Sequence, residues 1–232
     1  MSNIAPTIPI PDREGKQPRA TPRCWTRLAL CGVAMFFGAC STTMRVKDTS
    51  RTFDTVVIDA GHGGAATGTR SRWGGREKDA TLAVALRLQP KLQAAGFKTV
   101  MTRTRDVDVE LNDRARISNR QDNAVFVSIH FNEARARRIC GTETYYKSRP
   151  SIGLARHIQA AVCALPGHTS RGVKTANFRV LRLNEYPAVL VECGFLSNPK
   201  EGARCCRPDS QERIAGAIAR GIIAQRGGPL AR

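Results

Sequence analysis

The chain has 232 residues, 41% hydrophobic and 24% charged. That is enough for one globular domain with a sizeable core and excludes a disordered or collagen-like chain. Lys plus Arg number 37 against 19 Asp plus Glu, a net charge of +18. The basic residues are scattered and no nucleic-acid-binding motif accompanies them, so no nucleic-acid partner is expected. An anionic surface outside the cell, or plain solvation by arginine, accounts for the excess.

Met1 to Thr26 is polar and proline-rich and carries Arg13, Lys16, Arg19 and Arg23. Arg27 then precedes the apolar stretch Leu28 to Ala39, which has the length of a signal-peptide core and is short for a membrane span. It ends Phe37-Gly38-Ala39-Cys40-Ser41. Small residues before a cysteine resemble a bacterial lipoprotein signal, cleaved before Cys40 and lipidated on it, although Phe37 departs from the usual leucine-like residue. An uncleaved anchor and an ordinary signal peptide are the alternatives. The expected divisions are a leader over 1–39, a tether over 40–52 and a folded domain over 53–226. Ser41 after the lipidated cysteine suits sorting to an outer membrane.

Thr55 to Ile58 reads as a first buried strand. Gly61 to Gly75 holds six glycines and reads as a loop. A helix starts at Glu77, repeats apolar residues at helical spacing to Ala95 and stops at Gly96; Pro90 should kink it. Further strands are expected at Phe97–Thr102, Ala124–Ile129, Thr142–Tyr146, Val180–Leu183 and Ala188–Val191. Further helices are expected at Leu111–Asn119, Ile152–Leu165 and Ile214–Ala224. Strands alternating with helices predict an α/β fold, a single-domain three-layer sandwich with a twisted, mostly parallel mixed sheet and helices on both faces. Past Cys40 lie Cys140, Cys163, Cys193, Cys205 and Cys206. The number is odd, Cys205 and Cys206 are adjacent, and no paired Cys-x-x-Cys exists, so neither a disulfide nor a zinc knuckle is expected.

His62 follows Val56-Val57-Ile58-Asp59-Ala60-Gly61, and His130 follows Val125-Phe126-Val127-Ser128-Ile129. Each is expected where a buried strand gives way to a loop. Glu77 opens a helix, where the helix dipole favours a carboxylate. Glu192 ends the run Ala188-Val189-Leu190-Val191. Taken singly, these are ordinary loop, cap and strand-end residues. Taken in order they resemble the zinc-dependent N-acetylmuramoyl-L-alanine amidases of bacterial cell-wall metabolism. Connecting pieces extend the resemblance from about Thr55 to about Gln225: Met101-Thr102-Arg103-Thr104-Arg105-Asp106, the Leu111–Asn119 stretch with Arg114, Gly141-Thr142-Glu143-Thr144-Tyr145-Tyr146, and Phe178-Arg179-Val180-Leu181-Arg182.

The resemblance implies a Zn2+ cofactor on His62, Glu77 and His130. Two imidazoles and one carboxylate leave the ion a net charge near +1 and a position for water. It also implies that Glu192 is the catalytic base, and that the substrate is the amide between N-acetylmuramic acid and L-alanine in peptidoglycan or muropeptides. Asn132 is a candidate substrate contact or a turn residue. Arg114 is a candidate contact for a peptide carboxylate, a holder of a neighbouring loop, or half of a surface ion pair. His157 and His168 are expected outside the site. Some relatives carry a long helical insertion between the segments of His130 and Gly141 that plugs the site. The ten residues here, rich in arginine, leave no room for one, so no built-in autoinhibitory helix is expected and the site should be open. The expectation is a monomer at the periplasmic face of the cell envelope, attached to the membrane through Cys40. A non-catalytic muramyl-peptide-binding module and a zinc peptidase or deacylase of other specificity are the competing readings.

Overall fold

The structure is a computed structural model that describes residues 46–227. The expected leader, and the lipid site at Cys40, lie outside the described residues. Six strands form one sheet in the order β2-β1-β3-β6-β4-β5. They are β1 Thr55–Ala60, β2 Lys98–Met101, β3 Ala124–Asn132, β4 Thr142–Tyr146, β5 Ser170–Thr175 and β6 Ala188–Phe195. β2, β1, β3 and β6 run parallel, β4 is antiparallel to β6, and β5 is parallel to β4. The sheet is therefore mixed and mostly parallel.

Side-chain alternation along the central strands builds two cores. Val56, Ile58 and Ala60 of β1, Val125, Val127 and Ile129 of β3, and Val189, Val191 and Cys193 of β6 face one way. They meet α1 (Glu77–Ala94), α3 (Ile152–Cys163) and α6 (Pro208–Arg226), which supply Leu88, Ile158 and Ile218. Val57, Phe126 and Leu190 face the other way. There they meet Val180 and Leu181 of α4 (Arg179–Arg182), with Ile117 of α2 (Leu111–Asn119) packed against them. The second helical layer is short and leaves part of its sheet face open. By the same alternation, Asp59, Ser128, His130 and Glu192 belong to that thinly covered face.

Several boundaries differ from the sequence reading. β3 and β6 run on to Asn132 and Phe195, so His130 and Glu192 stand within strands and are paired with each other in register. Val180–Leu183, expected as a strand, is the single helical turn α4. The four residues Val-Leu-Arg-Leu carry too little periodicity to separate the two states, and here adjacent Val180 and Leu181 are both buried in one turn. β5 and α5 (Pro199–Cys205) went unread, and α6 begins six residues before Ile214. The signals for the two helices were Asn198-Pro199 and Pro208: the Asn198 side chain accepts from the amides of Lys200 and Glu201, and proline suits the first helical turn. The five cysteines of the described domain are free thiols.

The α1 helix continues through Pro90 without a break. Pro90 and Leu86, the residue one turn earlier, are exposed, so the carbonyl that loses its partner can turn to water. Pro90→Ala should therefore raise stability by about 1–2 kcal/mol, the lost helical penalty less the entropy regained by the unfolded chain. Urea unfolding followed by circular dichroism checks this, and an unchanged or lower midpoint would mean that the ring is needed where it stands.

Candidate metal centre

His62 lies just beyond the end of β1, in a loop at the carboxyl edge of the parallel strands. It holds a φ of +60°, a left-handed conformation that is uncommon outside glycine. The surrounding bonds explain how it is kept there. Arg103 donates from Nε to the Ala60 carbonyl at 2.9 Å and from Nη2 to the Gly61 carbonyl at 2.9 Å. Arg114 donates from Nη1 to the Ala60 carbonyl and from Nη2 to the His62 carbonyl, both at 2.7 Å. Two buried guanidinium groups thus hold three successive carbonyls. Arg114 is 3% exposed and its charge is met by Asp59 at 2.7 Å. Asp59 also accepts from Thr102 at 2.7 Å and Ser128 at 2.6 Å, so both carboxylate oxygens are engaged. Downstream, Lys78 binds the Gly64 carbonyl and Asp106, while Asp106 accepts from the Gly64 amide and Asp108 from the amides of Ala65 and Ala66.

Glu77 opens α1 and is buried. One carboxylate oxygen lies 3.0 Å from His62 Nε2 and 2.9 Å from His130 Nδ1. The Phe131 amide donates to the same oxygen at 3.1 Å, and the Thr69 amide to the other at 2.9 Å. The two imidazoles meet edge to face, with centroids 4.9 Å apart. Among the described residues, His62, Glu77 and His130 form a group whose donor atoms all lie within 4.8 Å of one another and which could hold a metal ion. Burial alone would disfavour the Glu77 carboxylate, but hydrogen bonds from His130 and His62 hold its pKa well below the usual range. It is therefore anionic, as a metal ligand must be. Gly61 is required for space, since a Cβ there would collide with the His130 ring.

Glu192 stands across the β3–β6 pair from His130. Burial, with the nearby Glu77 and Glu143 carboxylates, outweighs His130 and pushes its pKa up to about 7. Its Oε2 is buried without a hydrogen-bond partner. These groups open onto a cleft of about 560 Å³ whose walls include Leu111, Phe178, Val180 and Leu190. Residues 133–141, between β3 and β4, form a loop without helix.

The structure therefore brings four of the expected site residues together. Arg114 also lines the cleft, but four of its hydrogen bonds go to Asp59 and to the carbonyls of Ala60, His62 and Val109. Of the readings open for it, the geometry matches the holder of a loop. Asn132 is not among the lining residues, and its side-chain oxygen accepts from the Glu133 amide at 2.7 Å. His157 meets Gln225, and His168 lies against Thr142 with its pKa pushed down to about 4 by burial; neither joins the group. Asp59, Thr102, Arg103 and Ser128 were not recognised from sequence, although an aspartate inside an apolar strand is itself a signal of a buried charge pair. Glu143, which had no assigned role, faces Glu192 across β4–β6 and meets Arg171, Lys174 and Tyr145.

Asp59→Asn leaves the Arg114 guanidinium buried without its counter-charge. It should cost about 3–5 kcal/mol of stability. Denaturant unfolding measures this, and a loss below about 1 kcal/mol, the range of a surface pair, would show that the pair is not what holds the turn.

A family model described as N-acetylmuramoyl-L-alanine amidase matches residues 56–224. The uncharacterized protein YqiI of Bacillus subtilis is 35% identical over 202 residues, spanning 85% of this chain and 95% of that one. N-acetylmuramoyl-L-alanine amidase LytC of the same bacterium is 33% identical over 74% of this chain and 35% of LytC. Among solved structures, the catalytic domain of the amidase CwlV from Bacillus (Paenibacillus) polymyxa var. colistinus is 38% identical with a TM-score of 0.71, covering 74% of this chain and 97% of that one. The amidase AmiC2 of Nostoc punctiforme is 36% identical with a TM-score of 0.70, covering 73% and 95%. With sequence match, fold and site geometry in agreement, this chain belongs to the N-acetylmuramoyl-L-alanine amidase family of the Amidase_3 type.

Proposed function

We propose that this protein hydrolyses the amide between the lactyl group of N-acetylmuramic acid and L-alanine, with zinc held by His62, Glu77 and His130 and with Glu192 as the catalytic base. The observation that carries this reading is the convergence of those three donors within 4.8 Å beside a buried carboxylate oxygen that has no partner. A zinc ion bound there would acidify a water and polarise the scissile carbonyl. The donor set suits it: two imidazoles and a carboxylate, held by backbone amides and by the His62 turn.

Glu192 takes a proton from the attacking water as the water oxygen adds to the carbonyl carbon. It then gives that proton to the nitrogen of L-alanine as the carbon–nitrogen bond breaks. The products are the free lactyl carboxylate and a stem peptide with a free amine. Burial raises the Glu192 pKa in the metal-free site, and a raised pKa suits a carboxyl group that first accepts and then donates a proton. The apolar walls at Leu111, Phe178 and Leu190 exclude water from the methyl groups of lactate and alanine. Asn132 remains in this reading as a substrate contact through its side-chain N–H groups, and Arg114 is a positioning residue that acts through the His62 turn. The protein acts outside the cytoplasm, attached through a lipid on Cys40.

Glu192→Gln should keep its zinc and lose about 10²–10⁴ in turnover on peptidoglycan. The assay is mass spectrometry of released stem peptides beginning with L-alanine, alongside metal analysis of the purified variant. Chelator should abolish release by the wild-type protein, and added zinc should restore it. If the variant loses its metal, Glu192 is a ligand and the assignment is wrong. If the wild-type protein instead releases peptides without an L-alanine amino terminus, the specificity is that of a peptidase.

A further inference from the structure

Three segments follow the carboxyl ends of β1, β3 and β6 at the same sheet edge as the metal group. They are the loop 63–76, the loop 133–141 and the turn into α5. They carry Arg70, Arg72, Arg135, Arg137, Arg138 and Lys200, all exposed and none in an ion pair among the described residues. Exposed cations outside ion pairs occur elsewhere too, Arg105, Arg156 and Arg220 among them, but these six gather at the sheet edge that carries the metal group.

The six cations line two adjoining depressions that share Arg137. Of the acidic residues there, Glu201 is turned inward, accepting from the amides of Gly141 and Phe195 and pairing with Arg204. Glu133 accepts from Thr69, next to the metal group. Trp73 is 44% exposed on the same loop, beside Gly202 of α5. Like charges gathered on one face repel one another, and a surface that keeps six of them with one exposed carboxylate, Glu133, among them suits an extended anion.

We propose that this basic face binds the polymeric substrate beyond the scissile amide, meeting the stem-peptide carboxylates of an intact peptidoglycan strand, with Trp73 offering a flat face to a sugar ring. On this reading, cleavage of a disaccharide-peptide monomer depends on the cleft and not on these residues. The protein therefore prefers wall polymer to small muropeptides. This rests on the amidase reading of the cleft, but the binding step is measured separately from the chemistry.

The test compares full-length wild-type protein in detergent with the triple variant Arg135→Glu, Arg137→Glu, Arg138→Glu. Co-sedimentation with purified sacculi, using the Glu192→Gln background to suppress cleavage, reads binding. Turnover of sacculi and of a soluble disaccharide-peptide monomer reads chemistry. The triple change should weaken sacculus binding and sacculus turnover at least about tenfold, while monomer turnover stays within about twofold. Raising salt from about 0.1 M to about 1 M, which shortens the Debye length from about 10 Å to about 3 Å, should weaken wild-type binding far more than that of the variant. Unchanged sacculus binding by the variant, or an equal fall on both substrates, would overturn the proposal. So would loss of DNA-duplex binding with sacculus binding retained, which would make nucleic acid the occupant. If the wild-type protein cleaves neither substrate, the amidase reading fails, yet the sedimentation result still decides whether this face holds the wall.

Discussion

The site depends on one backbone turn, Ala60–His62, held against the end of the sheet. A buried Asp59–Arg114 pair anchors it from beneath, and Arg103 joins Arg114 in gripping its carbonyls. A left-handed histidine costs on the order of 1–3 kcal/mol and persists only where its surroundings over-determine it. Here five side-chain hydrogen bonds, counting the second bond of Arg103 Nη2 to the Lys78 carbonyl, tie the turn to β2, α1 and α2. Because Lys78 follows Glu77, the same guanidinium fixes the start of α1 and with it the carboxylate that faces both histidines.

The second constraint is the two-residue period of the strands. It sends Val125, Val127 and Ile129 into the thick core and Ser128 and His130 to the opposite face. That face is covered by two short helices, so polar groups there can be buried at one end and open to a cleft at the other. Glu192 shows the result: it is desolvated enough for its pKa to rise to about 7, yet it lines the cleft. A carboxylate with water on all sides would stay near its ordinary pKa and be a poor base at neutral pH.

Much of this was legible in the sequence. Long buried strands, the glycine-rich loop, and the start of α1 at Glu77 announce themselves through apolar runs and helical spacing. The order of His62, Glu77, His130 and Glu192 carried the family. What escaped were features fixed by tertiary contact. The β5 strand Ser-Arg-Gly-Val-Lys-Thr lies at the sheet edge with mostly solvent-facing side chains and has no apolar alternation to read. The Val180-Leu181 turn is decided by packing on β6. Arg103 looks like a surface cation until the fold closes over it, since nothing local shows that its partners are carbonyls more than 40 residues earlier, whereas Arg114 is open to reading as the holder of a neighbouring loop.

The residues held by this turn are proposed to form a nitrogen- and oxygen-donor zinc site. X-ray absorption at the zinc edge, on full-length protein carrying one equivalent of the metal, tests it most directly. The expected spectrum has only light donors, at about 2.0–2.2 Å, with an imidazole signature that is lost in His130→Ala. A sulfur shell at about 2.3 Å would instead place the metal on the cysteines and contradict the site described here.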